Sequence, residues 1–261
     1  MACATIAVAL GLAASTVVLM GSSATRVVAP HVTPGARQTA PLPLVGPAAA
    51  AMPPVATETT IAQVVGPVPY SAQPDGPSTG SLPVGGWWRD TKFLPVIARS
   101  PGWLQVRLPQ RPNGLTGWIP ESAAVLSTTT YGIVIDVTDH RLQLFDRGRL
   151  VLDAPAGVGT PDDPTPLGQF YLMEIGASRG AGWGPFVLAT NAHSEAITSW
   201  EGSGDAFTAI HGPLGADAAI GDSGGEISHG CVRLHVDDLA RLAPVPLGAP
   251  VAIVAGTRPP W

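Results

Sequence analysis

Glycine and proline punctuate this chain so densely that few helices of ordinary length fit between them. There are 31 Gly and 28 Pro among 261 residues. Proline cannot continue a helix or donate to a strand ladder, and glycine weakens either element while favouring turns. The pattern excludes a helical bundle and points to many turns joined by short strands, a mainly β chain of one or two domains.

Charge narrows the function classes. The net charge of -5 is unevenly spread: residues 1–127 carry seven basic and four acidic side chains, and residues 128–261 carry seven basic and fifteen acidic. No Lys/Arg run or basic stripe is present, so nothing reads as a nucleic-acid footprint. The acidic excess of the second half, including Asp162, Asp163, Asp205, Asp217 and Asp222, reads as solubility.

The chain divides by composition. Ala2 to Met20 is almost wholly apolar and runs into Gly21-Ser22-Ser23-Ala24, so residues 1–24 read as a signal peptide or signal anchor. This is the one membrane contact the sequence suggests. Residues 25–80 are Pro/Ala-rich, few are charged, and no apolar period is evident. An extended spacer is expected there, because such a stretch cannot bury enough surface to offset its ordering entropy. At about 3 Å per residue it would reach roughly 100 Å or more.

Residues 81–127 regain alternation. Trp103-Leu104-Gln105-Val106-Arg107-Leu108 and Gly117-Trp118-Ile119-Pro120 lie between Pro/Gly turns and read as a small β module. Its tryptophans, Trp87, Trp88 and Trp103, either grip a polymer or fill the module's core. Residues 128–256 continue the β pattern and 257–261 form a tail. Tyr131 to Val137 turns at Thr138-Asp139-His140 into Arg141 to Phe145, and a second turn at Asp146 to Arg149 leads into Leu150-Val151-Leu152. Gly157-Val158-Gly159 and Pro164 to Gly168 read as an irregular connection. Ala206 to Ile210 reads as a strand ending at His211, and Val236 to Leu242 as the clearest helix, stopped by Pro244. Val251 to Val254 reads as a closing strand.

The chemistry concentrates late in the chain. Cys231 is the one cysteine outside the apolar N-terminal stretch, since the other is Cys3. An unpaired thiol in an exported protein is a candidate reactive group. It stands in Ser228-His229-Gly230-Cys231-Val232-Arg233, preceded by Ile210-His211-Gly212. A thiol at neutral pH is mostly protonated and needs a base or positive partner. His211 and His229 are both candidates for that base. Gly230 removes bulk where a substrate must approach the backbone, and N–H groups around Cys231 suit a developing oxyanion. A zinc site built from His211, His229, Cys231 and His235 is the competing reading. It lacks a second cysteine and any completing acidic residue, so neither a metal nor another cofactor is expected. His235 reads as a helix-start residue and His140 as a turn residue. Trp200 reads equally as cleft wall or loop packing.

His211, sixteen intervening residues and then Ser228-His229-Gly230-Cys231 resemble the signature of the L,D-transpeptidases with a YkuD-type catalytic domain. The hairpin from Tyr131, Pro164-Thr165-Pro166-Leu167-Gly168-Gln169-Phe170, Gly184-Pro185-Phe186 and Ile220-Gly221 fit the same resemblance, which covers roughly 130 to 255. Residues 81–127 resemble the SH3-like modules found beside cell-wall enzymes. The resemblance implies a β-sandwich or mixed-sheet catalytic domain with one or two short helices. It also implies Cys231 as nucleophile on a peptidoglycan tetrapeptide stem, with D-Ala leaving and a diamino-acid amine as acceptor. His211 would be the base, oriented through the Gly212 carbonyl, and His229 would assist. Ser228, Gly230 and Gly212 would shape the pocket and oxyanion hole. Arg233, His193 and Trp183 would meet the substrate; the competing readings are a surface arginine, a structural histidine and a packing tryptophan. Carbapenems would acylate the thiol. An L,D-carboxypeptidase using the same thioester, and a non-catalytic wall-binding protein, are the alternatives. The expected location is extracytoplasmic, at the cell wall.

Overall fold

The computed structural model describes residues 57–84, 90–200, 202–221 and 223–256. The signal segment, the spacer up to residue 56, Trp87, Trp88 and the tail 257–261 lie outside the described residues. Among the described residues no helix is long and apolar enough to cross a membrane.

Seven strands form the first sheet: β1 (Thr59–Val65), β2 (Pro69–Ser71), β3 (Ser78–Ser81), β4 (Thr91–Ser100), β5 (Trp103–Arg107), β6 (Thr116–Pro120) and β7 (Ala124–Thr129). They pair antiparallel in the order β3-β2-β6-β5-β4-β1-β7. The spacer expected over 25–80 is therefore corrected: from Thr59 the chain is already in the sheet. Thr59-Thr-Ile-Ala-Gln-Val-Val65 buries Ile61, Ala62 and Val64. It lies between β4 and β7, with Ile61 opposite both Pro95 and Ser127. Strands β5 and β6 alternate as period-two strands should. Leu104, Val106 and Ile119 point inward, and Trp103 and Trp118 sit half-buried on the other face. The indole N–H of Trp103 donates to Asp75 at 3.0 Å, so this tryptophan is not core.

The second sheet holds β8 (Tyr131–Asp136), β9 (Arg141–Asp146), β10 (Arg149–Pro155), β11 (Gly157–Gly159), β12 (Gly168–Ala177), β13 (Phe186–His193), β14 (Phe207–His211), β15 (Gly225–Ser228), β16 (Val232–Arg233) and β17 (Pro250–Val254). Their order is β10-β9-β8-β17-β12-β13-β14-β16-β11-β15. The sheet is mixed: β8/β17, β14/β16 and β11/β15 run parallel, and the other pairs antiparallel. The turn between β9 and β10 places Arg147 and Gly148 at φ 49° and 72°, the pair of positive values a tight hairpin requires. Pro250–Val254 does not close an edge. It lies between β8 and β12, and its buried Val251-Ala252-Ile253 run is the continuous apolar pattern of an interior strand. Gly157–Gly159 is a short strand rather than an irregular connection, lying between β16 and β15. The two short helices are α1 (Asp217–Ile220) and α2 (Val236–Ala240). The second begins with Asp237 and Asp238 in its first turn, where acidic side chains complement the exposed N–H groups.

One core gathers Ile133, Ile135, Leu142, Leu144, Phe170, Leu172, Ile210, Val232, Leu239 and Val251. The other lies on the seven-stranded sheet and includes Leu94, Leu104, Val106 and Ile119. Tyr171, from β12 of the second sheet, is buried in this first-sheet core. The described residues accordingly fall within one compact unit.

Candidate active site

Strand β14 ends at His211, and β16 runs parallel beside it with Ile210 opposite Val232 and His211 opposite Arg233. Ile210 and Val232 are fully buried in the core. Side chains alternate along a strand, so His211 and Arg233 share the opposite face. Cys231, two residues before Arg233, leads into β16 from that same side. The thiol takes a hydrogen bond from the Ala209 backbone, and the Arg233 charge acts on both the thiol and the imidazole. Three of the residues singled out from sequence, His211, Cys231 and Arg233, are thus brought together by strand register.

His211 is 2% exposed. Its Nδ1–H donates to the Gly212 carbonyl at 2.7 Å, an assignment made from the acceptor it faces. That leaves Nε2 with a free lone pair. Burial pushes the imidazole pKa down to about 4; the Gly212 carbonyl opposes this, and the Arg233 charge adds to it. At neutral pH His211 is a neutral, oriented imidazole. Burial pushes the Cys231 thiol up, against the Ala209 hydrogen bond and the Arg233 charge, which lower it. At neutral pH the adjoining segments therefore carry a protonated thiol and a neutral imidazole.

Gly212 is required by space. A Cβ there would stand 2.5 Å from the Gly182 carbonyl oxygen and 2.7 Å from the Trp183 carbonyl carbon. Its N–H donates to the Trp183 carbonyl at 2.8 Å, and the Trp183 ring packs on the imidazole with centroids 4.6 Å apart. One small residue thereby lets the 182–184 loop close over the base. Arg233 is half-buried, and its Nε is buried with no hydrogen-bond partner.

Gly230 has φ +106°, a conformation that favours glycine. Its N–H donates to Ser228 Oγ at 3.1 Å, and Ser228 Oγ donates to the Cys231 carbonyl at 2.5 Å. With its N–H engaged, Gly230 shapes the turn and is not an oxyanion donor, which corrects that part of the sequence reading. Thr165, missed from sequence, is buried under the turn. Its hydroxyl donates to the Gly230 carbonyl at 3.0 Å and accepts the Gly159 N–H at 2.8 Å. The available signal was its place in Pro164-Thr165-Pro166, a rigid segment with one hydrogen-bonding side chain.

Two further expectations are corrected. His229 is not paired with the thiol as a second base; its side chain is 63% exposed, 3.9 Å from Asp163 and 5.7 Å between ring centroids from Trp200. It is a rim residue. His193 cannot line a substrate groove. It is 1% exposed, with Nδ1 at 2.9 Å from Asp205 and Nε2 at 2.7 Å from the Pro109 carbonyl. Among the described residues no three His, Cys, Asp or Glu side chains are grouped to hold a metal.

One stretch of the chain is similar to known proteins. Residues 130–253 match the YkuD family, the L,D-transpeptidase catalytic domain. That similarity spans just under half of the chain. A Bacillus licheniformis protein with the provisional name L,D-transpeptidase YkuD is 29% identical over 127 residues, 48% of this chain and 67% of that protein. Among solved structures, an L,D-transpeptidase from Mycobacterium tuberculosis H37Rv matches at 17% identity and TM-score 0.40, covering 73% of this chain and 93% of that one. One from Mycobacterium smegmatis matches at 19% and 0.37, covering 79% and 95%.

Proposed function

We propose that the chain is an exported peptidoglycan L,D-transpeptidase with Cys231 as nucleophile and His211 as base. The observation that carries this is the buried, neutral His211, tied at Nδ1 to Gly212 on the strand beside the thiol segment. Sγ attacks the carbonyl between the diamino acid and the terminal D-Ala of a tetrapeptide stem, and Nε2 takes the thiol proton. The tetrahedral oxyanion forms against the Cys231 N–H, in the turn set by Gly230 and Thr165. Collapse breaks the C–N bond, His211 returns the proton to the departing D-Ala amine, and a thioester remains on Cys231. The side-chain amine of a second stem attacks that thioester, His211 takes its proton, and the thiolate leaves to be reprotonated. Arg233, with a buried and unpartnered Nε, suits a stem carboxylate.

Ala2 to Met20 and the Pro/Ala-rich stretch after it support export to the wall. The test is incubation with disaccharide-tetrapeptide followed by mass analysis. Cross-linked dimer with loss of D-Ala is expected. Tripeptide alone would make the enzyme a carboxypeptidase, and unchanged substrate would contradict the assignment.

A further inference from the structure

The loop joining β13 to β14, residues 194–206, carries Trp200, and Trp200 stands beside His229 two residues from the thiol. The base of this loop is held by the other sheet. Arg111, in the connection between β5 and β6, reaches Asp205 through Nε and Nη2 at 2.9 and 2.8 Å. The same Nη2 donates to the Ser194 carbonyl at 2.9 Å and the Ile197 carbonyl at 3.4 Å. Asn113 makes a two-way amide pair with the His193 backbone, donating at 2.8 Å and accepting at 2.9 Å. The Pro109 carbonyl receives His193 Nε2, and Asn191 Nδ2 donates to the Leu108 carbonyl at 3.2 Å. Asp205 also caps the Ala206 N–H. Burial raises its carboxyl, but the hydrogen bonds from His193, Ala206 and Arg111 outweigh that and hold it below the usual carboxylate range.

Both ends of the loop are therefore fastened, at Ser194 and at Asp205, by one connection of the first sheet, residues 108–113. Between them the loop closes on itself: Trp200 N–H donates to the Asp205 carbonyl and Ser203 N–H to the Trp200 carbonyl, each at 2.9 Å. Gly202 and Gly204, both at φ +78°, make the turn. With its ends fixed and its tip folded, the loop has few ways to move Trp200 other than by movement of its base.

We propose that Arg111 and Asn113 are positioning residues for the active site: the connection between β5 and β6 sets where Trp200 stands against His229, two residues from Cys231, and so how well a donor stem or acylating ligand binds. The guanidinium fork suits this because it spans a carboxylate and two carbonyls at once, which an ammonium cannot. The inference rests on the reading of Cys231 as the acylated nucleophile.

The experiment uses the full chain and three variants, Arg111→Ala, Arg111→Lys and Trp200→Ala. Two readouts are hydrogen exchange over 194–206 and the concentration dependence of Cys231 acylation by meropenem. Arg111→Ala should speed exchange in the loop while the β14 and β16 amides stay protected. It should weaken the half-saturating concentration about tenfold, the scale of a misplaced positioning group, with the saturating rate changed less than about twofold. Arg111→Lys should fall between. Trp200→Ala, at an exposed position that does not threaten folding, should reproduce the kinetic change without faster exchange at Ser194 or Asp205. Unchanged loop exchange in Arg111→Ala overturns the proposal, as does unchanged half-saturation in Trp200→Ala. A wild-type chain that takes no meropenem contradicts the nucleophile assignment instead, and the exchange data still decide whether Arg111 holds the loop.

Discussion

What a histidine does depends on what its two nitrogens meet, and three histidines here show the range. His211 has one nitrogen on a carbonyl and one lone pair free. His193 has an acceptor at each nitrogen, and His229 lies largely in solvent. The sequence displayed all three beside glycine or small polar residues and could not show which was enclosed. His211 was legible because it closes an apolar alternation, Phe207 to Ile210. His193 closes a similar one, and only the fold reveals that residues 109–113 cover it. A pH consequence follows from His211. Its pKa is lowered from the ordinary 6.5 to about 4, and the reaction needs the neutral ring, so activity is present above that value and lost below it. The acylation rate should stay nearly level from about pH 5 to 7 and fall through an acid limb centred near 4. A stopped-flow pH profile checks this, and a limb near 6.5 would contradict it.

At the scale of elements, the site is made by short pairings, β14 with β16 and β11 with β15 parallel and β11 with β16 antiparallel, and the turns between them. β14 delivers His211, β16 follows Cys231, and β11 brings in Gly159 and through it Thr165. Such two- and three-residue strands carry too little periodicity to be read from sequence, which is why Gly157–Gly159 looked like loop. The longer hairpin β8/β9 was legible from alternation and its turn residues. β1 to β3 were not, because prolines and small polar residues around them masked a seven-residue strand. Gly212 tests the element-level packing. Gly212→Ala should push back the 182–184 loop, since its Cβ would meet backbone at 2.5 Å. The displaced Trp183 and the re-aimed imidazole should slow Cys231 acylation by about 10- to 100-fold, measured beside a thermal melt showing the chain still folded.

For the whole molecule, the contact between the two sheets is the part least visible in sequence. Tyr171 lies in a strand of the catalytic sheet yet fills the core of the other, and Asn191 accepts the Tyr171 N–H while donating to Leu108. Nothing in Gln169-Phe170-Tyr171-Leu172 distinguishes the residue that faces a second sheet from one that faces its own. The two sheets should therefore melt together. Tyr171→Ala should cost about 3–5 kcal/mol through the cavity it leaves. Tyr171→Phe should be near neutral, because the buried hydroxyl has no hydrogen-bond partner and removing it loses no bond. Thermal unfolding of both variants checks this; two separate transitions in the wild type would contradict it.

The claim that Cys231 is an acylated nucleophile activated by His211 is tested most directly by intact-mass measurement after incubation with meropenem. The account predicts one covalent adduct on the wild-type chain and none on Cys231→Ala. On His211→Ala it predicts adduct formation slowed about 10²- to 10⁴-fold, the usual contribution of a general base. A wild-type chain without adduct, or an adduct that persists in Cys231→Ala, would contradict it.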